Sequence, residues 1–159
     1  MIAAFPIRLL RVSASLRLIQ VLGALLVVSV AAGAELPQIA LSVNGHKLTV
    51  EVAHTEPSRA EGLMHRRILP ESRGMLFVFA DVSRHAMWMM NTHVPLSVAF
   101  LDERGVIINI EDMKPHTQDA HAAVKPAKYA LEMNRGWFQK RGIRPGAKVE
   151  GIERAPPAR

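Results

Sequence analysis

The sequence predicts a mainly β protein: a compact antiparallel barrel or sandwich with one or two short helices. Three observations lead there. Short apolar runs recur at close spacing, turn dipeptides dominate the connections between them, and helical periodicity is confined to two brief stretches. Helix–strand alternation is too sparse for a doubly wound sheet.

Taken in order, Leu41 to Ala53 places apolar runs on either side of Asn44-Gly45, the pair that best tolerates the positive φ of a tight hairpin turn. Thr55 then offers a side-chain N-cap, Glu56 puts negative charge in a first helical turn, and Pro57 sits where a missing N–H does little harm. Ala60, Leu63 and Met64 give that helix one apolar face. Gly62 inside it costs about 1 kcal/mol against alanine, which points to a close approach to its backbone.

Gly74 to Phe79 is a continuous apolar run, too short for a helix and suited to a buried strand. Arg84 to Met90 reads as the next extended segment. Val98 to Leu101 and Val106 to Ile110 flank "DERG", a hairpin with Gly105 at its left-handed position. Ala127 to Met133 is a strand, Asn134 is placed to cap a short helix that Gly142 ends, and Pro145-Gly146 turns the chain into a last strand. The proline-rich tail, residues 153–159, is expected to be disordered. Residues 35–152 therefore read as a single β-rich domain, with no repeat or linker to divide them.

The first 34 residues are a leader rather than part of the fold. Arg8, Arg11 and Arg17 precede the apolar run Leu18 to Ala34, and Ala32 and Ala34 form an A-x-A-like site that predicts cleavage before Glu35. The other reading is an uncleaved anchor, since the run nearly reaches the roughly 20 residues that span a bilayer. Either way the chain is expected to be exported, periplasmic or secreted, with membrane attachment only through an uncleaved leader. Removal takes three of the 20 Lys and Arg and none of the 14 Asp and Glu, so the formal net charge of +6 falls to +3. The remaining basic residues are scattered among acids, which argues against nucleic acid as a partner. The absence of cysteine excludes disulfides, thiol nucleophiles and thiolate metal ligands.

Several motifs occur together: "GLMHRRILPESRGMLFVF", "WMMNTHVPL", "AFLDERGVI", "ALEMNRGW" and "GIRPGAKV". In combination they resemble the bacterial and archaeal family known as domain of unknown function 192, over about Lys47 to Gly151. The resemblance implies a compact, mainly β single domain, often secreted or lipid-associated, and implies no activity. Two positions depart from the family pattern: Ser97 and Ala147 stand where acidic residues are usual.

Three readings of the polar and sulfur-bearing residues follow. Arg66, Asn91, Thr92 and Glu132 adjoin apolar runs at element ends, and would orient a small molecule or envelope component in a pocket walled by Trp88 and Met89. The plainer alternative has Asn91 and Thr92 closing a turn and Arg66 paired with Glu132. If the segment is extended, His85, Met87, Met89 and Asn91 share one face, and His85, Met87, Met89 and His93 become candidate Cu(I) ligands, against the commoner use of methionine as core filler. The third reading is an envelope hydrolase using Arg66 and Glu132, although G-x-S-x-G and phosphate loops are absent. His116 and His121 match no zinc spacing, and no cofactor is called for. A binding or accessory module stands first, an enzyme second and a copper protein third; no protein partner is identified.

Overall fold

The computed structural model describes residues 35–159, so the leader lies outside the described residues. Strands β1 (Gln38–Val43) and β2 (His46–Ala53) form the expected hairpin, closed at Asn44-Gly45 with both residues at positive φ. Thr55 caps α1 (Glu56–Glu61): its Oγ1 accepts from the Ser58 amide, and the Ser58 Oγ accepts from the Thr55 amide. Gly62 ends this helix instead of lying within it. Its φ is 52°, and a Cβ there would stand 3.1 Å from the Phe77 ring, so the close approach is to an aromatic edge.

The helix carries the chain over to β3 (Arg73–Ser83), which pairs with β2 in parallel. This corrects the purely antiparallel expectation: a strand–helix–strand crossover sets parallel neighbours, and one such unit sits among hairpins. After β4 (Ala86–Met87) come the hairpin strands β5 (Leu96–Leu101) and β6 (Ile107–Met113). Next are β7 (His121–Ala122) and β8 (Ala127–Asn134). Helix α2 (Trp137–Lys140) and β9 (Val149–Glu150) complete the elements, followed by one 3-10 turn. Seven strands form one sheet in the order β6-β5-β8-β3-β2-β1-β9, while β4 and β7 pair separately.

The large sheet curls into a half-barrel. Its edges meet at one corner, where Val106 bridges Lys148 and the Ile107 amide donates to the Ala147 carbonyl at 2.9 Å. Ala147 thus serves through its backbone. Leu41, Val50, Leu76, Leu101 and Leu131 pack in one cluster drawn from strands across the whole order, which identifies that face as the inside. Trp137 and Phe138 of α2 plug it. The opposite face is also apolar: Met75, Phe77, Leu96, Val98, Phe100 and Ala130 form a second cluster, covered by Leu63 and by Met89 and Val94. Two covered faces explain why β5 is buried at all six positions and why "GMLFVF" lacks alternation.

Two sequence expectations shift here. Asn134 ends β8 instead of capping a helix; its side-chain amide donates to the Leu69 carbonyl at 2.9 Å and pins the loop before β3. The tail expected to be disordered lies against the body, with Ala155 and Ala158 on the inner cluster and the Arg159 amide donating to the His54 carbonyl at 2.7 Å.

Ser97 accounts for its own departure from the family pattern. It lies opposite Asp112, donates to that carboxylate at 2.5 Å, and accepts from the Gly136 amide at the start of α2 at 2.8 Å. The carboxylate here comes from Asp112 across the strand pair, and a second one at position 97 would face it directly. Ser97→Asp is expected to cost about 1–3 kcal/mol in urea denaturation, and Ser97→Asp with Asp112→Ser to recover most of it. Gly74 is tighter still: a Cβ there would collide with the Glu132 carbonyl oxygen and the Met133 sulfur across β3 and β8. Backbone cannot yield as a side chain can, so Gly74→Ala is expected to lower stability by about 3 kcal/mol, read as a fall in the urea midpoint.

Candidate functional site

One row of residues crosses the outer face of the sheet. Register places Glu51 beside Met75, Met75 beside Glu132, and Glu132 beside Val98. Registered neighbours point the same way, so two carboxylates share this face with Met75 between them, about 10 Å apart at ordinary strand spacing. Their surroundings differ completely.

Glu51 is paired. Arg66, in the loop after α1, donates to both of its oxygens, at 2.5 and 2.6 Å, and this hydrogen-bonded pairing holds the Glu51 carboxyl below its usual range. Glu132 has no such partner. It is 3% exposed, its carboxyl makes no hydrogen bond with any described residue, and burial pushes it up to about 8. At neutral pH it is a carboxylic acid: a donor as well as an acceptor.

A cleft of about 650 Å³ opens above Glu132, between α1 and the segment from His85 to Thr92. Its walls are Leu63, Met64, Phe77, Phe79, Met87 and Met90, with Trp88 on the rim at 53% exposure. Phe79 is stacked by His85 at 3.7 Å between ring centres. Thr92 lines the cleft as well, its hydroxyl donating to the Met90 carbonyl at 3.2 Å and leaving an oxygen able to accept. The cleft is therefore an apolar, sulfur-rich and aromatic groove with one acid at its floor.

Of the six residues singled out for a pocket, Trp88, Thr92 and Glu132 line this cleft. Met89 does not: it is wholly buried in the cluster beneath. Asn91 is exposed at φ 55°, a turn residue whose carbonyl accepts from the His65 amide at 2.9 Å. Arg66 faces Glu51, so neither the Arg66–Glu132 salt bridge nor an Arg66–Glu132 catalytic pair is formed. The extended reading of Arg84 to Met90 holds only in part. Strand β4 covers only Ala86 and Met87, and the Met89 amide turns to the Thr117 carbonyl, while burial alternates as far as Met89, with Met87 and Met89 on the covered side and Ala86 and Trp88 exposed.

The four copper candidates occupy different surroundings. His85 and Met87 line the cleft, Met89 is in the core, and His93 lies against His116 at 4.7 Å between ring centres. Among the described residues, no three His, Asp or Glu side chains are grouped to hold a metal ion. Phe77, Phe79, Met64 and Met90 are the wall residues that sequence reasoning missed. The signal for two of them was present: Met75, Phe77 and Phe79 alternate along one strand face, the face that also holds Glu132.

Comparison with known proteins gives a family and no activity. No curated protein matches the chain. A solved structure from Sinorhizobium meliloti, described as a candidate transcription regulator, is 35% identical with a TM-score of 0.70, covering 74% of this chain and 96% of that one. A protein of unknown function from Novosphingobium aromaticivorans is 32% identical with a TM-score of 0.70, covering 72% and 86% respectively. Residues 39–151, the span that builds the half-barrel and its cleft, match the family described as DUF192, uncharacterized ACR, and the chain belongs to it.

Proposed function

We propose that this protein is an exported, periplasmic binding module whose outer cleft takes up a small, largely apolar molecule and orients it through Glu132 and Thr92. The observation that carries the reading is the buried, unpartnered carboxyl at the floor of an open apolar groove. Burying such a group without a hydrogen bond costs about 1–3 kcal/mol, which a ligand that completes it recovers. The arginine-bearing, apolar leader that ends in Ala32-Gly33-Ala34 supports export. An enzyme built on Arg66 and Glu132 loses its geometry, because Met75 stands between Glu132 and the Glu51 that holds Arg66.

The test is the mass of the chain recovered from the envelope of an expressing cell. A species beginning at Glu35 and carrying an organic adduct is expected, with the adduct lost in Ala60→Trp. Ala60 lines the cleft from the exposed side of α1, so this change fills the groove without entering the core. Full-length protein in the cytoplasm, or an adduct retained by Ala60→Trp, would sink the proposal.

The two carboxylates also set opposite pH dependences. Glu132 has a raised folded-state value, so the native protein holds more protons than the unfolded one. Its contribution is complete below about 4.5 and falls as pH rises from there to about 8, by about 5 kcal/mol at most. Glu51 is held low, so its half-exposed pair with Arg66 weakens in the other direction, as pH falls below the ordinary glutamate range. Thermal melts of Glu132→Gln are expected to lose the decline between about 4.5 and 8 and keep the more acidic one, and those of Arg66→Ala the reverse.

A further inference from the structure

We propose that the ligand of this cleft is a hydrophobic organic cation, an amine or ammonium compound whose charge seats against the Glu132 carboxylate while its apolar body lies along Trp88 and the methionines. This rests on the binding reading above and adds the chemical class.

Charge at the cleft favours a cation. Helix α1 contributes Glu56, Arg59 and Glu61, β3 contributes Asp81, the following loop His85, and β8 contributes Glu132. The Arg59 guanidinium is committed: it donates to the His54 carbonyl at 2.7 Å and to the Val78 and Arg159 carbonyls at 3.2 Å. Lys128, further along β8, is committed likewise, its ammonium donating to the Phe79 carbonyl at 2.7 Å and the Ala80 carbonyl at 3.1 Å. Asp81 stands 3.6 Å from His85, while Glu56 and Glu61 are exposed and form no ion pair among the described residues. A groove with low-dielectric walls and carboxylates at its mouth concentrates cations.

The walls agree. A half-exposed indole offers a face to a cation, worth about 0.5–2 kcal/mol according to how far water is excluded. Met64, Met87 and Met90 supply polarizable, adaptable surface for an apolar body of loosely defined shape. A neutral alcohol or amide would use the Glu132 hydrogen bond but leave the acidic rim without a purpose.

The seating step balances as a proton exchange. A ligand ammonium enters, the O–H bond of the Glu132 carboxyl breaks, its proton passes to solvent, and the carboxylate pairs with the ammonium. The ligand keeps its own protons. Charge at the cleft floor is therefore unchanged by binding, which spares the apolar walls an uncompensated cation.

The experiment is calorimetric titration of the purified protein at about pH 6, in two buffers of different ionisation enthalpy. The probes are phenethylamine and tryptamine against their neutral counterparts, phenethyl alcohol and tryptophol. Expected are binding of the amines with close to one proton released, affinity rising about tenfold per pH unit toward pH 8, and a loss of about 30-fold together with the proton release in Glu132→Gln. Alcohols that bind as well as the amines, undisturbed by Glu132→Gln, would overturn the cation and leave the binding module standing. If neither series binds and the summed emission of Trp88 and Trp137 does not move, both fall.

Discussion

The structure depends on one constraint: the central strands are apolar on both faces. A sheet of this kind cannot stop at a barrel wall, because curling satisfies only the inner face. Leu76, Leu131 and Leu101 are covered by closure and by the Trp137–Phe138 plug, but Met75, Phe77 and Phe100 need a second cover. The chain supplies it with α1, Leu63, the small β4–β7 pair and the irregular segment from Trp88 to Val94. That cover is made of short pieces held by a few local hydrogen bonds, such as Met89 to Thr117 and Ala123 to His85, and it does not seal the face completely. The cleft is the gap it leaves.

What was legible in the sequence follows from the range of the interactions involved. Asn44-Gly45, Thr55 and Gly105 act within a few residues, and each produced the turn or cap that its chemistry implies. The parallel pairing of β2 and β3 is set over a crossover, and its signal was one short helix among hairpins. Asn134 was misread because the Leu69 carbonyl it reaches lies far away in sequence. At the site, Trp88, Thr92 and Glu132 were recognised as neighbours of apolar runs, whereas Arg66 was not resolvable. The sequence offers several acids to an arginine, and only the register of β2 brings Glu51 to it.

Met89 and Trp88 show how alternation assigns roles. Alternation through Arg84 to Met90 would put Met87 and Met89 together. It does so: both pack on the outer cluster, Met89 wholly buried, while Trp88 is left half exposed on the other side, the reverse of what size and hydrophobicity suggest. A large indole kept at a rim, above a fully buried thioether, is an arrangement that core packing alone does not call for.

The row from Glu51 through Met75 to Glu132 separates structure from function within about 10 Å. Both carboxylates occupy the same face at the same level of the sheet. One is completed by a bidentate guanidinium and ties the α1 loop to β2, so its charge is used up within the fold. The other is buried at a cost and completed by nothing the described residues supply. If stability alone had shaped this face, a leucine between Met75 and Val98 would serve better than a glutamate, since the surroundings are already apolar. An acid that weakens the fold, placed where the cover opens, is accounted for by what enters the opening.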